Sequence, residues 1–171
     1  LPRLEKRGRE VVPARGRPAP APTPGEAMRE TVLRSALAEM RSSSDADLVE
    51  LRLDLVERPD VAGALQGRRS PVIVTCRAKW EGGRFDGSEE ERLRLLADAV
   101  RCGAEFVDLE WRADRRRFAD RGRTRLVLSS HDFSGVPRDL SGQVRAMQQE
   151  PADIVKAAIT PRCLRDCLVL R

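Results

Sequence analysis

Short apolar runs alternate with helix-like segments along most of this 171-residue chain, and this alternation limits the folds it can adopt. Strands joined by helices form right-handed β-α-β crossovers, which place successive strands parallel in one sheet. Strands are predicted at residues 47–55, 71–76, 105–111, 125–130 and 152–159. Helices are predicted near 61–65, at 88–101, in the arginine-rich stretch within 112–125, at 140–149 and from 161 onwards. The chain is therefore predicted to be an α/β protein.

Two of the predicted strands carry charged side chains at alternating positions, which a sheet covered by helices on both faces would not hold. Residues 47–55 alternate strictly, with Glu50, Arg52 and Asp54 on one face and leucines on the other. Asp108 and Glu110 repeat the pattern on a later strand. A barrel interior gives such groups a polar space near the C-terminal ends of the strands, where barrel enzymes place their reactive groups. We therefore predict a fold of the (β/α)8-barrel type.

The N-terminal part of the chain differs in composition from the rest. Residues 1–26 hold six of the eleven prolines, and so little apolar surface that we expect a disordered, arginine-rich extension. From about residue 27, the spacing of Val32, Leu33, Leu37 and Met40 predicts a helix that ends at the serines 42–44. The chain length allows one core, so residues 27–171 are predicted to form one domain.

Composition argues against nucleic-acid binding, membrane insertion and metal chemistry. The 32 basic and 27 acidic residues give a net charge of only +5, with few aromatic residues to stack on bases. No apolar stretch is long enough to span a membrane. The four cysteines, Cys76, Cys102, Cys163 and Cys167, form no C-x-x-C pair and no zinc set. We expect reduced, mostly buried thiols in a cytoplasmic protein without a metal ion.

Lys156 lies in the apolar run at residues 152–159, which predicts a short buried strand. The chain has only three lysines, Lys6, Lys79 and Lys156, and uses arginine for almost all of its other positive charge. An arginine stays protonated, whereas a desolvated lysine can lose its proton and attack a carbonyl carbon. Lys156 is therefore a candidate Schiff-base residue. The alternative is a lysine whose stem crosses apolar surface while its amine reaches water.

His131 is the single histidine of the chain, and it ends the strand that precedes the lysine strand. Its ordinary pKa suits proton transfer at neutral pH, and consecutive barrel strands are neighbours. The amine could form an imine, and the imidazole could move protons on the adjacent carbon. Arg52 and Arg77 offer planar forks that bind a carboxylate with two hydrogen bonds, so an anionic substrate fits. The alternative for either arginine is an interior ion pair with Glu50, Asp108 or Glu110.

Five segments resemble the type I 3-dehydroquinate dehydratase family, in order and in approximate spacing, over residues 27–171. They are Glu50-Leu-Arg52-Leu-Asp54, Thr75-Cys-Arg77-Ala-Lys-Trp-Glu81-Gly-Gly83, Val107-Asp108-Leu-Glu110, Leu128-Ser-Ser-His131-Asp-Phe133 and Ala152-Asp-Ile-Val-Lys156. The resemblance implies a (β/α)8 barrel that dehydrates 3-dehydroquinate to 3-dehydroshikimate, in the shikimate pathway of aromatic amino acid biosynthesis. It implies no cofactor, and it suggests a homodimer.

The resemblance also implies a role for each matched residue. Lys156 would form the imine, and His131 would be the general acid and base. Glu81 matches a carboxylate that helps to set the histidine. Glu50, Arg52 and Arg77 match residues that hold the hydroxyl and carboxylate groups of the substrate.

The chain departs from the family pattern at its ends. We expect about six βα units and a barrel that is incomplete at the C-terminus, without the seventh and eighth units and their substrate-gripping arginine. An unclosed sheet exposes an edge, which favours association. The alternative function is therefore a catalytically inactive fragment that acts as an interaction module or needs a complementary chain. Another Schiff-base barrel enzyme, such as an aldolase, is a third reading that the substrate-binding matches disfavour.

Overall fold

The computed structural model describes residues 46–168, which form one parallel sheet with helices between its strands. The strands are β1 (Val49–Arg52), β2 (Val72–Thr75), β3 (Phe106–Glu110), β4 (Arg125–Asp132) and β5 (Ile154–Ile159). They lie side by side in the order β1-β2-β3-β4-β5, and every pair is parallel. The helices are α1 (Val61–Leu65), α2 (Glu89–Arg101), α3 (Leu140–Gln148) and α4 (Leu164–Leu168). The predicted α/β architecture is confirmed.

The predicted N-terminal extension and the helix expected between residues 27 and 44 lie outside the described residues. The estimate of about six βα units exceeds what the described residues contain, which is five parallel strands. Within residues 46–168, no helix is both long and apolar enough to cross a lipid bilayer.

The longest helix, α2, shows how local sequence defines an element. Ser88 caps its start by accepting a hydrogen bond from the backbone N–H of Glu91, and the Glu91 side chain accepts one from the backbone N–H of Ser88. Leu93, Leu96 and Ala99 share its buried face and pack into the core. Burial of one leucine side chain stabilises a fold by about 1.5–3 kcal/mol, so this face fixes the helix on the sheet.

The strand register separates an apolar face from a polar face. Leu51 lies beside Val74, which lies beside Val107, and all three belong to the buried hydrophobic core under the helices. Because side chains alternate along a strand, their neighbours in sequence point to the opposite face. There the register aligns Arg52 with Thr75, Thr75 with Asp108, Glu110 with Ser129, and Ser129 with Lys156. Polar groups of all five strands therefore face the same space.

Two predicted elements are shorter than expected. β1 ends at Arg52, and Leu53–Leu55 form a 3-10 turn that directs the Asp54 carboxylate to the backbone N–H groups of Arg77 and Arg84. The prediction of an arginine-rich helix within residues 112–125 is wrong, because this stretch contains only the 3-10 turn Arg116–Phe118. Phe118 alone of that turn is buried, and one apolar residue does not give a helix a face to pack.

The prediction of a buried lysine strand is also wrong. Within the described residues β5 pairs only with β4, so its other edge is unpaired. Ile154 is 41% exposed and the rest of β5 is half-buried. α4 beyond it has no buried residue. The expectation of mostly buried thiols is wrong as well, since Cys76 is buried while Cys102, Cys163 and Cys167 are exposed.

Candidate active site

Lys156 projects from β5 onto the polar face of the sheet, beside Ser129 of β4. Its Nζ atom lies 3.4 Å from Oδ2 of Asp108, a long contact for an ion pair. The lysine side chain is 41% exposed, whereas that of Asp108 is buried. The amine is therefore accessible and has one carboxylate oxygen near it.

His131 is held by Glu81, which a 3-10 turn at Lys79–Glu81 carries into the protein interior. The Glu81 Oε2 atom lies 2.9 Å from His131 Nδ1 and accepts the backbone N–H of His131 at 3.0 Å. A carboxylate accepts hydrogen bonds, so Nδ1 carries the proton and Nε2 is left to exchange protons with a bound molecule. The Phe133 ring stacks near the imidazole at a centroid distance of 6.3 Å.

Two glycines end the turn that carries Glu81. Gly82 adopts the left-handed conformation, with φ at 78°, which a residue with a side chain adopts at a cost. A Cβ atom on Gly83 would lie 1.8 Å from the backbone oxygen of Arg77. The Gly82-Gly83 pair therefore lets the chain fold back tightly against Arg77 and holds Glu81 under the histidine.

Lys156 and His131 are brought together by strand order. Ser129 lies opposite Lys156 in the register, and His131 lies opposite Ala158. On β4, His131 is two positions after Ser129, so the two side chains share a face. Since Ser129 is the neighbour of Lys156 across the strands, the Lys156 and His131 side chains lie on the same face of adjacent strands. The prediction that the strands of His131 and Lys156 are neighbours is confirmed.

Arg77 is buried and forms ion pairs with two carboxylates on the polar face of the sheet. Its Nη2 atom lies 2.9 Å from Asp108 Oδ1, and Nη1 lies 3.1 Å from Glu110 Oε1 and donates to Ser129 Oγ at 2.7 Å. The Ser129 hydroxyl donates in turn to Asp108 Oδ1 at 2.5 Å. These are the interior ion pairs that the sequence analysis kept as the alternative for this arginine.

Glu50 and Arg52 lie on β1, at the opposite edge of the sheet from Lys156. Arg52 binds both oxygens of Asp54, at 2.9 and 2.8 Å, while its side chain stays 34% exposed. Burial tends to raise the pKa of Asp54, but the hydrogen bonds from Arg52 and two backbone N–H groups hold that pKa below its usual value. Glu50 accepts a hydrogen bond from Thr75 Oγ1 at 2.7 Å.

Arg92, which was not predicted as a site residue, is buried in α2 and reaches these ion pairs from outside the sheet. Its Nη1 atom lies 2.7 Å from Glu110 Oε2 and donates to the backbone oxygen of Cys76 at 2.6 Å. The signal was present, because position 92 shares a helix face with Leu96 and Ala99. An arginine on an apolar helix face indicates a buried partner.

Within the described residues, neither a metal site nor a reactive thiol at Cys76 finds support. Residues 46–168 contain no set of three histidine, cysteine or carboxylate side chains that could hold a metal ion. Burial raises the pKa of the Cys76 thiol to about 12, so this thiol is protonated at neutral pH and a poor nucleophile.

The five parallel strands, the helices between them and the polar groups at their C-terminal ends define an α/β protein of the (β/α)8-barrel type. The sequence model described as Type I 3-dehydroquinase matches residues 28–171. The chain therefore belongs to the type I 3-dehydroquinase family.

Curated relatives and solved structures agree with this assignment. The chain is 39% identical over 129 residues to the 3-dehydroquinate dehydratase of Desulfotalea psychrophila, a match that covers 71% of this chain and 57% of the relative. The enzyme of Methanothrix thermoacetophila is 38% identical over 136 residues, covering 78% and 60%. The crystal structure of the Geobacillus kaustophilus enzyme superimposes with a TM-score of 0.70 at 30% identity, covering 83% of this chain and 62% of that one. The chain thus spans about three fifths of the length of these relatives.

Proposed function

We propose that this chain is a lyase that dehydrates 3-dehydroquinate to 3-dehydroshikimate through a Schiff base on Lys156, as a step of the shikimate pathway. One observation carries the proposal: an accessible amine shares the polar face of two adjacent strands with a histidine whose Nδ1 is fixed by a buried glutamate. This pairs a nucleophile with a general acid and base, the combination that imine chemistry at a carbonyl needs.

In the proposed reaction the neutral Lys156 amine adds to the ketone carbon, and the resulting carbinolamine loses water to form the imine. The protonated imine draws electrons from the neighbouring carbon, whose proton His131 removes. The new carbon–carbon double bond forms as the hydroxyl on the next carbon leaves, and His131 gives it the proton so that it departs as water. Hydrolysis of the imine then frees the unsaturated ketone and restores the amine. Glu81 keeps Nδ1 protonated, so Nε2 serves both proton transfers.

The substrate's polar groups are assigned to Glu50, Arg52 and Arg77. Arg52 is the best placed of the three for a direct contact, because a third of its side chain faces solvent while Asp54 fixes its guanidinium plane. Arg77 is buried, and its contacts with Asp108, Glu110 and Ser129 must be shared or exchanged for it to bind a carboxylate. In this proposal Arg77 therefore binds the substrate carboxylate by exchanging one of these contacts.

Borohydride trapping tests the proposal directly. The chain is incubated with 3-dehydroquinate, reduced with borohydride, digested, and analysed by mass spectrometry. We expect the added mass on the peptide that contains Lys156 and none on the peptide that contains Lys79, an exposed lysine in the same chain. Lys156→Ala should abolish the adduct and Lys79→Ala should preserve it. A folded chain that yields no Lys156 adduct would overturn the proposed activity.

A second function is favoured by the unpaired edge of β5 within the described residues. The sheet offers hydrogen-bonding groups there, beside the half-exposed lysine, so a complementary chain could add strands and complete the site. Thermal melting and binding of a hydrophobic dye separate the two cases. A cooperative transition without dye binding supports an independent enzyme, whereas a broad transition with strong dye binding supports a chain that needs a partner.

A further inference from the structure

Arg92 is the largest fully buried side chain of the described residues, with 1% of its surface exposed. Its guanidinium binds Glu89 through Nε at 2.7 Å and Nη2 at 2.8 Å, and it lies over the Trp80 ring at 5.4 Å. Burial alone would lower the pKa of Arg92, but its hydrogen bonds with Glu89 and the nearby charge of Glu110 raise it, so the group stays charged. Burial of a charge at this depth is unfavourable unless the charge is paired with an opposite one.

Besides Glu89, Arg92 forms an ion pair with Glu110, a buried carboxylate at the end of β3 that lies against two arginines at once. Its Oε2 atom lies 2.7 Å from Arg92 Nη1, and its Oε1 atom lies 3.1 Å from Arg77 Nη1 and accepts the backbone N–H of Ala78 at 3.0 Å. Arg92 approaches from the helix layer and Arg77 from the polar face. Glu110 is therefore neutralised from both sides of the sheet.

The same arrangement extends to the lysine through Asp108. Arg77 Nη2 lies 2.9 Å from Asp108 Oδ1, and the other oxygen, Oδ2, lies 3.4 Å from Lys156 Nζ. The remaining charged groups on this face are already paired, Arg52 with Asp54 and His131 with Glu81, and Glu50 binds Thr75. Arg77 is thus the arginine partner of Asp108, and Arg92 is a second arginine partner of Glu110. Lys156 contacts an Asp108 carboxylate that Arg77 already neutralises.

We infer that Arg92 is a positioning residue for the lysine chemistry: it neutralises Glu110 from the helix side, which keeps Arg77 on Asp108 and keeps Asp108 from becoming the full counter-ion of Lys156. Without Arg92, Arg77 is the one remaining cationic partner that the described contacts give Glu110, so Glu110 draws Arg77 towards itself and frees Asp108. Asp108 then holds the lysine in its ammonium form, which cannot attack a carbonyl. The inference rests on the proposed function of Lys156, but it concerns a residue that touches neither substrate nor amine.

A double-mutant cycle between Arg92 and Glu110 tests the inference without any substrate. Trace acetic anhydride labels amines in their neutral form only, and the labelling of Lys156 relative to the exposed Lys79 is measured from about pH 6 to about pH 10 by mass spectrometry. The variants are Arg92→Met, Glu110→Gln and the double variant. Arg94→Met is the matched control, since Arg94 lies on the exposed side of the same helix.

The expected signs differ between the two single variants. Arg92→Met should move the rise in Lys156 labelling to higher pH, with about tenfold less labelling at neutral pH, because an added effective negative charge stabilises the ammonium. Glu110→Gln should move the rise to lower pH, the double variant should return close to the original profile, and Arg94→Met should change nothing. If Arg92→Met does not fold, Arg92→Gln, which removes the charge and keeps hydrogen-bonding groups, is measured in its place and should show the same shift to higher pH.

An unchanged Lys156 profile in Arg92→Met and Glu110→Gln would overturn the inference and leave Arg92 a purely structural residue. The result is separable from the proposed function. The predicted shifts together with no borohydride adduct would support the charge arrangement and overturn the dehydratase proposal. A specific Lys156 adduct together with unchanged labelling profiles would support the dehydratase proposal and overturn the positioning role of Arg92.

Discussion

The Oε2 atom of Glu81 contacts His131 twice, at 2.9 Å from Nδ1 and at 3.0 Å from the backbone nitrogen. These residues are 50 positions apart in sequence, and the carboxylate is buried. One oxygen thus fixes both the position of the strand end and the orientation of the ring. A histidine held in this way keeps the same nitrogen available for proton transfer throughout a reaction.

Glu81→Gln should slow the proposed dehydration of 3-dehydroquinate by about a hundredfold, because an amide cannot stabilise the imidazolium that forms when His131 takes a proton. The rate is followed by the ultraviolet absorbance of the conjugated product, and circular dichroism verifies the fold. Glu90→Gln, at an exposed glutamate of α2, should leave the rate unchanged. An unaltered rate in Glu81→Gln would contradict the role given to this carboxylate.

Gly83→Ala should disrupt the turn that carries Glu81. The added Cβ would meet the Arg77 backbone at 1.8 Å, and backbone atoms cannot move aside as a flexible side chain can. We expect a loss of stability of about 1–3 kcal/mol, measured by urea unfolding, together with a weaker contact between Glu81 and His131. Gly67→Ala is the comparison, since a Cβ there meets no atom within 4 Å and only the positive φ of 67° is strained. Equal losses in both variants would show that the close approach at Gly83 is unimportant.

The Asp54 carboxylate should contribute to the acid sensitivity of the fold. Its pKa in the folded chain lies below the ordinary value, so its stabilising effect is complete above that ordinary value, near pH 4. The effect is lost as the pH falls from there through the lowered folded pKa. In this window the free energy of unfolding decreases as the pH falls. Asp54 accounts for up to about 1.4 kcal/mol of that decrease per pH unit.

Urea unfolding between neutral pH and about pH 3 measures this dependence. Asp54→Asn should be less stable at neutral pH and should lose less stability on acidification. Asp120→Asn, at an exposed position, should follow the original curve. Parallel curves for Asp54→Asn and the unchanged chain would contradict the assignment.

The exposed apolar surface beyond β5 should make the chain associate. Leu164 is 88% exposed and Leu168 is 62% exposed, and within the described residues one edge of β5 is unpaired. Sedimentation velocity over a concentration series should show association, which Leu164→Lys reduces. A chain that stays monomeric at every concentration would contradict both this prediction and the homodimer suggested by the family resemblance.

Several features of this protein are encoded locally and could be predicted from the sequence. The alternation of Glu50, Leu51 and Arg52 predicts a strand with one polar face, and Ser88 with Glu91 predicts where α2 begins. His131 and Lys156 could be placed on neighbouring strands because parallel β-α-β units follow one another in order. Such signals depend on residue period, caps and connectivity, all of which operate over a few residues or one connection.

Only the tertiary structure decided which charges meet. Arg77 contacts Glu110 and Ser129 at separations of 33 and 52 residues, and Arg92 reaches Glu110 across the helix–sheet boundary. The half-exposed position of Lys156 likewise follows from what lies beside β5 and not from the apolar run that contains it. Ion pairs and burial depend on strand register and on packing between layers, so residue types define the available chemistry while three-dimensional contacts define the partner of each group.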